Sequence, residues 1–499
     1  MKSLDRRRFL LATAATAALP TLRAFAQATP PATKLHIDAD ATLLTIPANF
    51  VGLSYEVQQL TDPAFFSAHN TGLITQFRAL TTNGVLRLGG NTSDVGWWKP
   101  TPASKQPPLP SKIFNEPPRP GERPFQELAY SVTPEAVINL RAFLDATGWT
   151  CLYGINLGTS TPERAAEEAT FVAKTLGPKL DYFQIGNEPD GFPARFRNKA
   201  TWSADAYFDE WLASAQAIAA VVPNARFAVP DVASHTDWFA PIVDRLLALD
   251  KPLNIAALTH HYYFTGPPAN PKANFNDLLK ADPRVAHNAE LSRTSAAKLH
   301  TQFRMTEANT CYKGGKPGFS DCYGAALWAA DYLLLLASLG YSGINLHGGS
   351  GKAVADSLGG TLPGELLMPD PKAPHPRPFY TPIAEISGAY VPEPVFYGMK
   401  FAATFAGAQL LKLDFNPQGP SGPINATAYA AKLPTGQLAV AIINKDQTQP
   451  LPFDLPRYSL GLTLSAPSLT STRVQLSEPA SFREASTVPP STAIILYSV

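Results

Sequence analysis

Between residues 50 and 407, short apolar runs alternate with longer stretches that carry helix-start signals. The runs cover residues 51–55, 85–88, 151–157, 182–185, 226–229, 256–262, 302–306 and 343–346. They lack the in–out polar alternation of a half-exposed sheet, so each reads as a strand covered on both faces. The intervening stretches read as helices. Thr133-Pro134-Glu135 and Thr161-Pro162-Glu163 each supply a capping threonine, a proline in the first turn and an early acid. Gly148 and Gly177 follow where a left-handed stop is wanted. Further helical patterns cover 204–221, 238–249, 288–299, 323–339 and 396–405. Eight strands alternating with helices over roughly 350 residues predict an α/β fold, a (β/α)8 TIM barrel.

Beyond residue 407 the pattern changes to short β-like runs (409–413, 429–433, 438–444, 459–464, 473–476 and 493–497) separated by Pro, Gly and Asn. These predict a C-terminal antiparallel β-sandwich domain over 408–499. Residues 29–49 contain a further strand-like segment before the barrel, expected to pair into the same sandwich. Residues 1–28 read differently. Asp5-Arg6-Arg7-Arg8-Phe9-Leu10-Leu11 and the alanine-rich run after it resemble a twin-arginine export signal, with small-x-small cleavage sites at Ala24-Phe25-Ala26 and Ala26-Gln27-Ala28. The expectation is a periplasmic or secreted protein. No stretch is long and apolar enough to predict a membrane span.

Lys plus Arg number 41 and Asp plus Glu 40, a balance that argues against a nucleic-acid surface or a dense polyanionic partner. Three cysteines, Cys151, Cys311 and Cys322, offer no paired spacing for zinc, and neither a metal nor a cofactor is expected. Cys151 lies in an apolar run. Cys311 and Cys322 enclose a Gly-rich loop, and the sequence leaves open whether they are bonded or free.

In a barrel of this kind, chemistry sits at the C-terminal ends of the strands. The run Phe183-Gln184-Ile185-Gly186-Asn187-Glu188-Pro189-Asp190 places Glu188 at the tip of the fourth strand, because proline cannot continue the ladder. Glu307 holds the equivalent place at the end of the seventh strand, 119 residues later. Two carboxylates around one mouth suit glycoside hydrolysis, in which one carboxyl protonates the leaving oxygen and the other attacks the anomeric carbon. Glu56, Asn91 and Asp94 follow the first two strands and are expected to border the mouth and bind sugar hydroxyls. Arg87, if it points inward, would help keep Glu307 ionised.

The Asn187-Glu188 pair with Glu307 resembles the clan A glycoside hydrolases. More narrowly, Gln184-Ile185-Gly186-Asn187-Glu188-Pro189-Asp190, His260-His261-Tyr262-Tyr263 and the loop 307–315 resemble glycoside hydrolase family 79, which contains β-glucuronidases and heparanases. The resemblance covers most of the chain after residue 28. It implies Glu188 as acid/base and Glu307 as nucleophile of a retaining double displacement, with Asn187 on the sugar 2-hydroxyl. Tyr262 is assigned to hold the nucleophile, with the adjacent Tyr263 as its alternative, since neighbours on a strand face opposite ways. His260 and His261 read as packed residues of the barrel mouth. Tyr312, Gly314 and Gly315 are implied to grip a sugar carboxylate, with Tyr380 as a third element.

The implied function is an exo-β-glucuronidase releasing terminal glucuronic acid, with or without a 4-O-methyl group, from glycans or glucuronide conjugates. The partner is then a carbohydrate with a terminal uronic acid. A heparanase-like endo-enzyme is the nearest alternative and wants basic clusters that the balanced charge does not provide. A clan A enzyme on neutral sugars follows if the carboxylate loop is misassigned. A non-catalytic carbohydrate-binding protein has no use for the glutamate pair.

Overall fold

The computed structural model describes residues 32–109, 125–372, 375, 377–419, 422–478 and 486–499. The export-signal segment 1–28 lies outside the described residues. Eight parallel strands close into a barrel: β1 (Val51–Glu56), β2 (Val85–Gly89), β3 (Thr150–Ile155), β4 (Leu180–Ile185), β5 (Arg226–Val232), β6 (Asn254–Thr265), β7 (Gln302–Cys311) and β8 (Ile344–His347). Strands β1, β2 and β8 are buried at every position, the signature of a sheet covered inside and out.

The helices form the outer ring: α1 (Thr71–Leu80), α2 (Pro134–Thr147), α3 (Pro162–Leu176), α4 (Ala204–Val221), α5 (Phe239–Leu247), α6 (Pro283–Lys298), α7 (Tyr323–Ser338) and α8 (Pro394–Ala403). The start signals work as their chemistry dictates. Thr133 accepts from the Ala136 amide and Thr161 from the Arg164 amide, while Gly148 ends α2 at φ 82°.

Strands β6 and β7 run further than their sequence pattern suggests. The ladder continues past the barrel rim with Glu307↔His261, Ala308↔Tyr262, Asn309↔Tyr263 and Cys311↔Thr265 in register. A register shift between Met305 and Glu307 marks a bulge, which re-aims the side chains that follow. Glu307 therefore lies within β7 and not at its tip.

The trailing region is an antiparallel sheet domain whose nine strands share one hydrogen-bonded sheet. The strand Thr33–Thr45 pairs antiparallel with Gln409–Phe415, so the chain's first described strand completes its last domain. The central strand Leu438–Asn444 is buried on both faces. Ala439, Ala441 and Ile443 face the barrel-side core, while Val440 and Ile442 face a second core with Leu451, Phe453 and Val488 from the last two strands at one end of the sheet. The sheet folds over that second core. Helix α7, buried on nearly all sides, fills the space between barrel and sheet. Asp331 on α7 pairs with Lys445 and accepts from Thr427 and Tyr429 of the sheet. Among the described residues, no helix is long and apolar enough to cross a membrane.

Candidate active site

Arg87 projects from β2 into the barrel with no exposed surface. A guanidinium cannot shed its proton, so at this depth it must be met by acceptors. It is. Nη1 donates to Glu307 Oε2 at 2.6 Å and to Ser54 Oγ at 3.0 Å. Nη2 donates to Asn187 Oδ1 at 2.7 Å and to Asp231 Oδ2 at 2.8 Å, and Nε donates to Gln184 Oε1 at 3.2 Å. One side chain thus ties together groups from β1, β4, β5 and β7.

Glu307 is held at both of its carboxylate oxygens. Its Oε1 accepts from the Tyr263 hydroxyl at 2.8 Å, and only 8% of its side chain is exposed. Burial pushes its carboxyl upward, but the surrounding His347, His261 and Arg87 outweigh burial and hold it far below the usual carboxylate range. Glu307 is ionised at every ordinary pH.

Glu188 lies just past β4, before the proline that ends the run, at a left-handed φ of 48°. That conformation is costly for a residue with a Cβ and persists because the surroundings hold it. Its backbone nitrogen donates to the Asp231 carbonyl at 3.0 Å. Its side chain is 21% exposed, and Oε1 faces His261 Nδ1 at 3.0 Å. The other ring nitrogen, Nε2, faces Asp231 Oδ1 at 3.0 Å. Burial alone would lower His261, yet the charges of Asp231 and Glu307 prevail and push it up to about 10. His261 is an imidazolium that donates from both nitrogens. A donor atom from each of Glu188, His261 and Glu307 lies within 4.8 Å of the others, a spacing that a metal ion also favours. With both ring nitrogens protonated and committed to carboxylates, His261 has no lone pair to offer a metal.

A tyrosine wall flanks Glu307. The Tyr263 ring lies 6.2 Å from those of Tyr312 and Tyr380. Lys313, Gly314 and Gly315 follow Tyr312 with three successive positive φ angles of 61°, 83° and 86°. A Cβ at Gly315 would stand 2.8 Å from the Tyr380 nitrogen, so only glycine lets the loop close on β8's exit segment. The Phe379 amide, donating to the Gly314 carbonyl at 2.7 Å, pins it there.

The remaining expected residues divide. Asn187 is buried beside Arg87, and Asn91 lies next to it, accepting from Asn187 Nδ2 at 3.3 Å. Glu56 is buried and accepts from the Thr92 amide at 3.0 Å and hydroxyl at 2.6 Å. Asp94 is 1% exposed, and its oxygens take the amides of Leu157, Gly158 and Asn187. It shapes the loop that presents Asn187 and is not placed to meet a sugar. Tyr262 requires the clearest correction. Its hydroxyl donates to Asp282 at 2.8 Å outside the barrel, and it is Tyr263 that holds Glu307. Strand alternation sends neighbours to opposite sides. All three cysteines are free and buried.

Sequence reasoning passed over Asp231, His347 and the role of His261. His260 is packed as expected, its Nε2 2.9 Å from the Tyr341 hydroxyl. His347, at the end of β8, stands 3.6 Å from Glu56 and 3.7 Å from Glu307. Asp231 had a usable signal, since it too is a carboxylate at the end of an apolar strand.

No family model matches the chain. Two curated relatives are β-glucuronidases. The chain is 32% identical to that of Aspergillus niger over 219 residues, which span 40% of each protein. It is 24% identical to that of Neurospora crassa over 399 residues, 69% of this chain and 68% of the relative. Among solved structures, a 4-O-α-L-rhamnosyl-β-D-glucuronidase from Fusarium oxysporum superposes with a TM-score of 0.65 at 15% identity, covering 93% of this chain and all of that one. A GH51 arabinofuranosidase from Xanthomonas axonopodis pv. citri gives 0.63 at 14% identity, covering 94% and 100%. The fold is that of glycoside hydrolases built from a parallel barrel and an antiparallel sheet domain.

Proposed function

We propose that the protein is a retaining exo-β-glucuronidase of the family 79 type, with Glu307 as nucleophile and Glu188 as acid/base. The observation that carries this reading is the carboxylate pair. An oxygen of Glu188 and one of Glu307 lie within 4.8 Å, an approach that supports the close carboxyl spacing of roughly 5–5.5 Å in double-displacement enzymes. The partial matches to two β-glucuronidases support the substrate class.

In the first step the Glu307 carboxylate attacks the anomeric carbon while Glu188 gives its proton to the departing glycosidic oxygen. In the second step Glu188 takes a proton from water, which displaces Glu307 and restores the sugar hemiacetal. Asn187, its carbonyl oxygen fixed by Arg87 and one amide hydrogen taken by Asn91, presents its other amide hydrogen to the sugar 2-hydroxyl. Tyr263 and Arg87 hold the nucleophile's two oxygens in attacking orientation. His261 fixes the Glu188 carboxyl at Oε1. Tyr312, Gly314, Gly315 and Tyr380 form the subsite for the uronate carboxylate, with the glycine amides as an anion nest. The twin-arginine pattern of residues 5–11 supports export to the periplasm or beyond.

A panel of p-nitrophenyl glycosides tests the substrate. The β-glucuronide is expected to be hydrolysed with little turnover of the β-glucoside or β-xyloside. Preference for the glucoside sinks the uronate assignment while leaving the glutamate pair intact.

A further inference from the structure

At the N-terminal end of the barrel, opposite the catalytic mouth, a cavity of about 150 Å³ is lined by residues that include Asn49, Asp181, Tyr182, Arg226, Arg304 and Ser342. These residues stand at or just before the starts of β1, β4, β5, β7 and β8. The strand length of the barrel therefore separates them from Glu188 and Glu307.

Arg304 is the anomaly. It is 4% exposed, and among the described residues no carboxylate lies within ion-pair distance of it. Its Nε donates to Asn345 Oδ1 at 2.8 Å. Its terminal nitrogens make only long contacts, 3.4 Å to the Ser342 carbonyl and 3.5 Å to those of Asn49 and Phe50. Arg87, equally deep in the same barrel, has two carboxylates. The carboxylate of Asp181 lines the same cavity and attracts Arg304 without reaching salt-bridge distance, so this buried guanidinium keeps unfilled donor capacity. The Tyr182 hydroxyl, on the same cavity, is buried with no hydrogen-bond partner. Arg226 brings a second guanidinium from the exposed start of β5.

We propose that this cavity binds a small tetrahedral oxyanion of the phosphate or sulfate class, held by Arg304, Tyr182 and Arg226. The planar guanidinium forks and the phenol supply convergent donors of the kind such anions take. The volume is on the order of several waters, enough for the ion. Asp181 opposes it, but its carboxylate is engaged by the Thr150 hydroxyl at 2.6 Å, and the two guanidiniums outnumber it. The bound ion links the starts of β4, β5 and β7, which makes it a structural ligand and independent of the glycosidase reading.

The test is thermal unfolding of the full-length protein in sodium chloride, with sodium phosphate, sulfate or acetate titrated at constant ionic strength. Phosphate and sulfate are expected to raise Tm saturably by roughly 2–5 °C near saturation, acetate much less, with KM unchanged. Arg226→Met, at an exposed position, is expected to weaken the response at least tenfold in midpoint concentration, and Arg304→Met to remove it. A response no larger than that of chloride overturns the proposal. So does an equal response to acetate, or one whose midpoint concentration is unchanged in Arg226→Met. The last result places the anion elsewhere, such as the Gly314–Gly315 loop. Should Arg304→Met fail to fold, Arg226→Met alone decides.

Discussion

At the scale of single residues, the site is a charge arrangement in which each group is held by its neighbours. Glu307→Gln keeps the shape of the pocket but removes the attacking carboxylate. It is expected to lower kcat by at least about 10³-fold while substrate still binds, as read by steady-state kinetics and calorimetry. Tyr263 and Tyr262 give a sharper comparison. Tyr263→Phe deletes a charge-assisted hydrogen bond to Glu307, the proposed nucleophile, and should reduce kcat/KM roughly 10- to 100-fold. Tyr262→Phe deletes a bond to Asp282 and should leave kcat within about threefold. His261 carries a pH signature. Its pKa rises from an ordinary 6.5 to about 10 on folding, so its contribution to stability is full below pH 6.5 and is lost as pH climbs through about 10. Urea unfolding from pH 6 to 10.5 should show that decline, and His261→Gln should flatten it. The meeting of the glutamates at one mouth was legible because each follows an apolar run, although β7 continues past Glu307. Choosing between the two tyrosines needed the register of β6, and the roles of His261 and Asp231 depend on strands 30 or more residues apart meeting at one point. Single-chain patterning carries no such information.

At the scale of elements, the loop after β7 carries the proposed uronate subsite. Its three consecutive left-handed residues are tolerated because two are glycines, and its fit against Tyr380 leaves no room for a Cβ at Gly315. Gly315→Ala is expected to raise KM for a β-glucuronide at least tenfold and to cost about 1–3 kcal/mol of stability from backbone strain. A variant with wild-type KM would remove this loop from the binding site. The helix starts were readable because a capping threonine followed by proline acts locally. The length of β7 was not, since the extension 307–311 is stabilised by pairing with 261–265 and by the bulge at Met305, both non-local. The strands Leu451–Asp454 and Thr487–Val488 escaped notice because they are short and sit among prolines.

At the scale of the whole molecule, the sheet domain braces the barrel through α7. Lys445 and Asp331 form the buried ionic link between them, and removing one partner strands the other's charge. Lys445→Met should destabilise the protein by about 3–5 kcal/mol, seen as a lower Tm, while kcat of the surviving fold changes little. Barrel and sheet domain were both legible in the alternation of patterns along the chain. Their junction was not, because the all-round burial of α7 reads in sequence only as a very apolar helix. The central claim concerns what the assembled mouth does, and the anomer it releases reports that directly. Proton NMR should follow hydrolysis of p-nitrophenyl β-glucuronide from the first turnovers. The account predicts β-glucuronic acid as the first product, with the α-anomer appearing later by mutarotation. The α-anomer released first, or no turnover of the glucuronide at all, would contradict it.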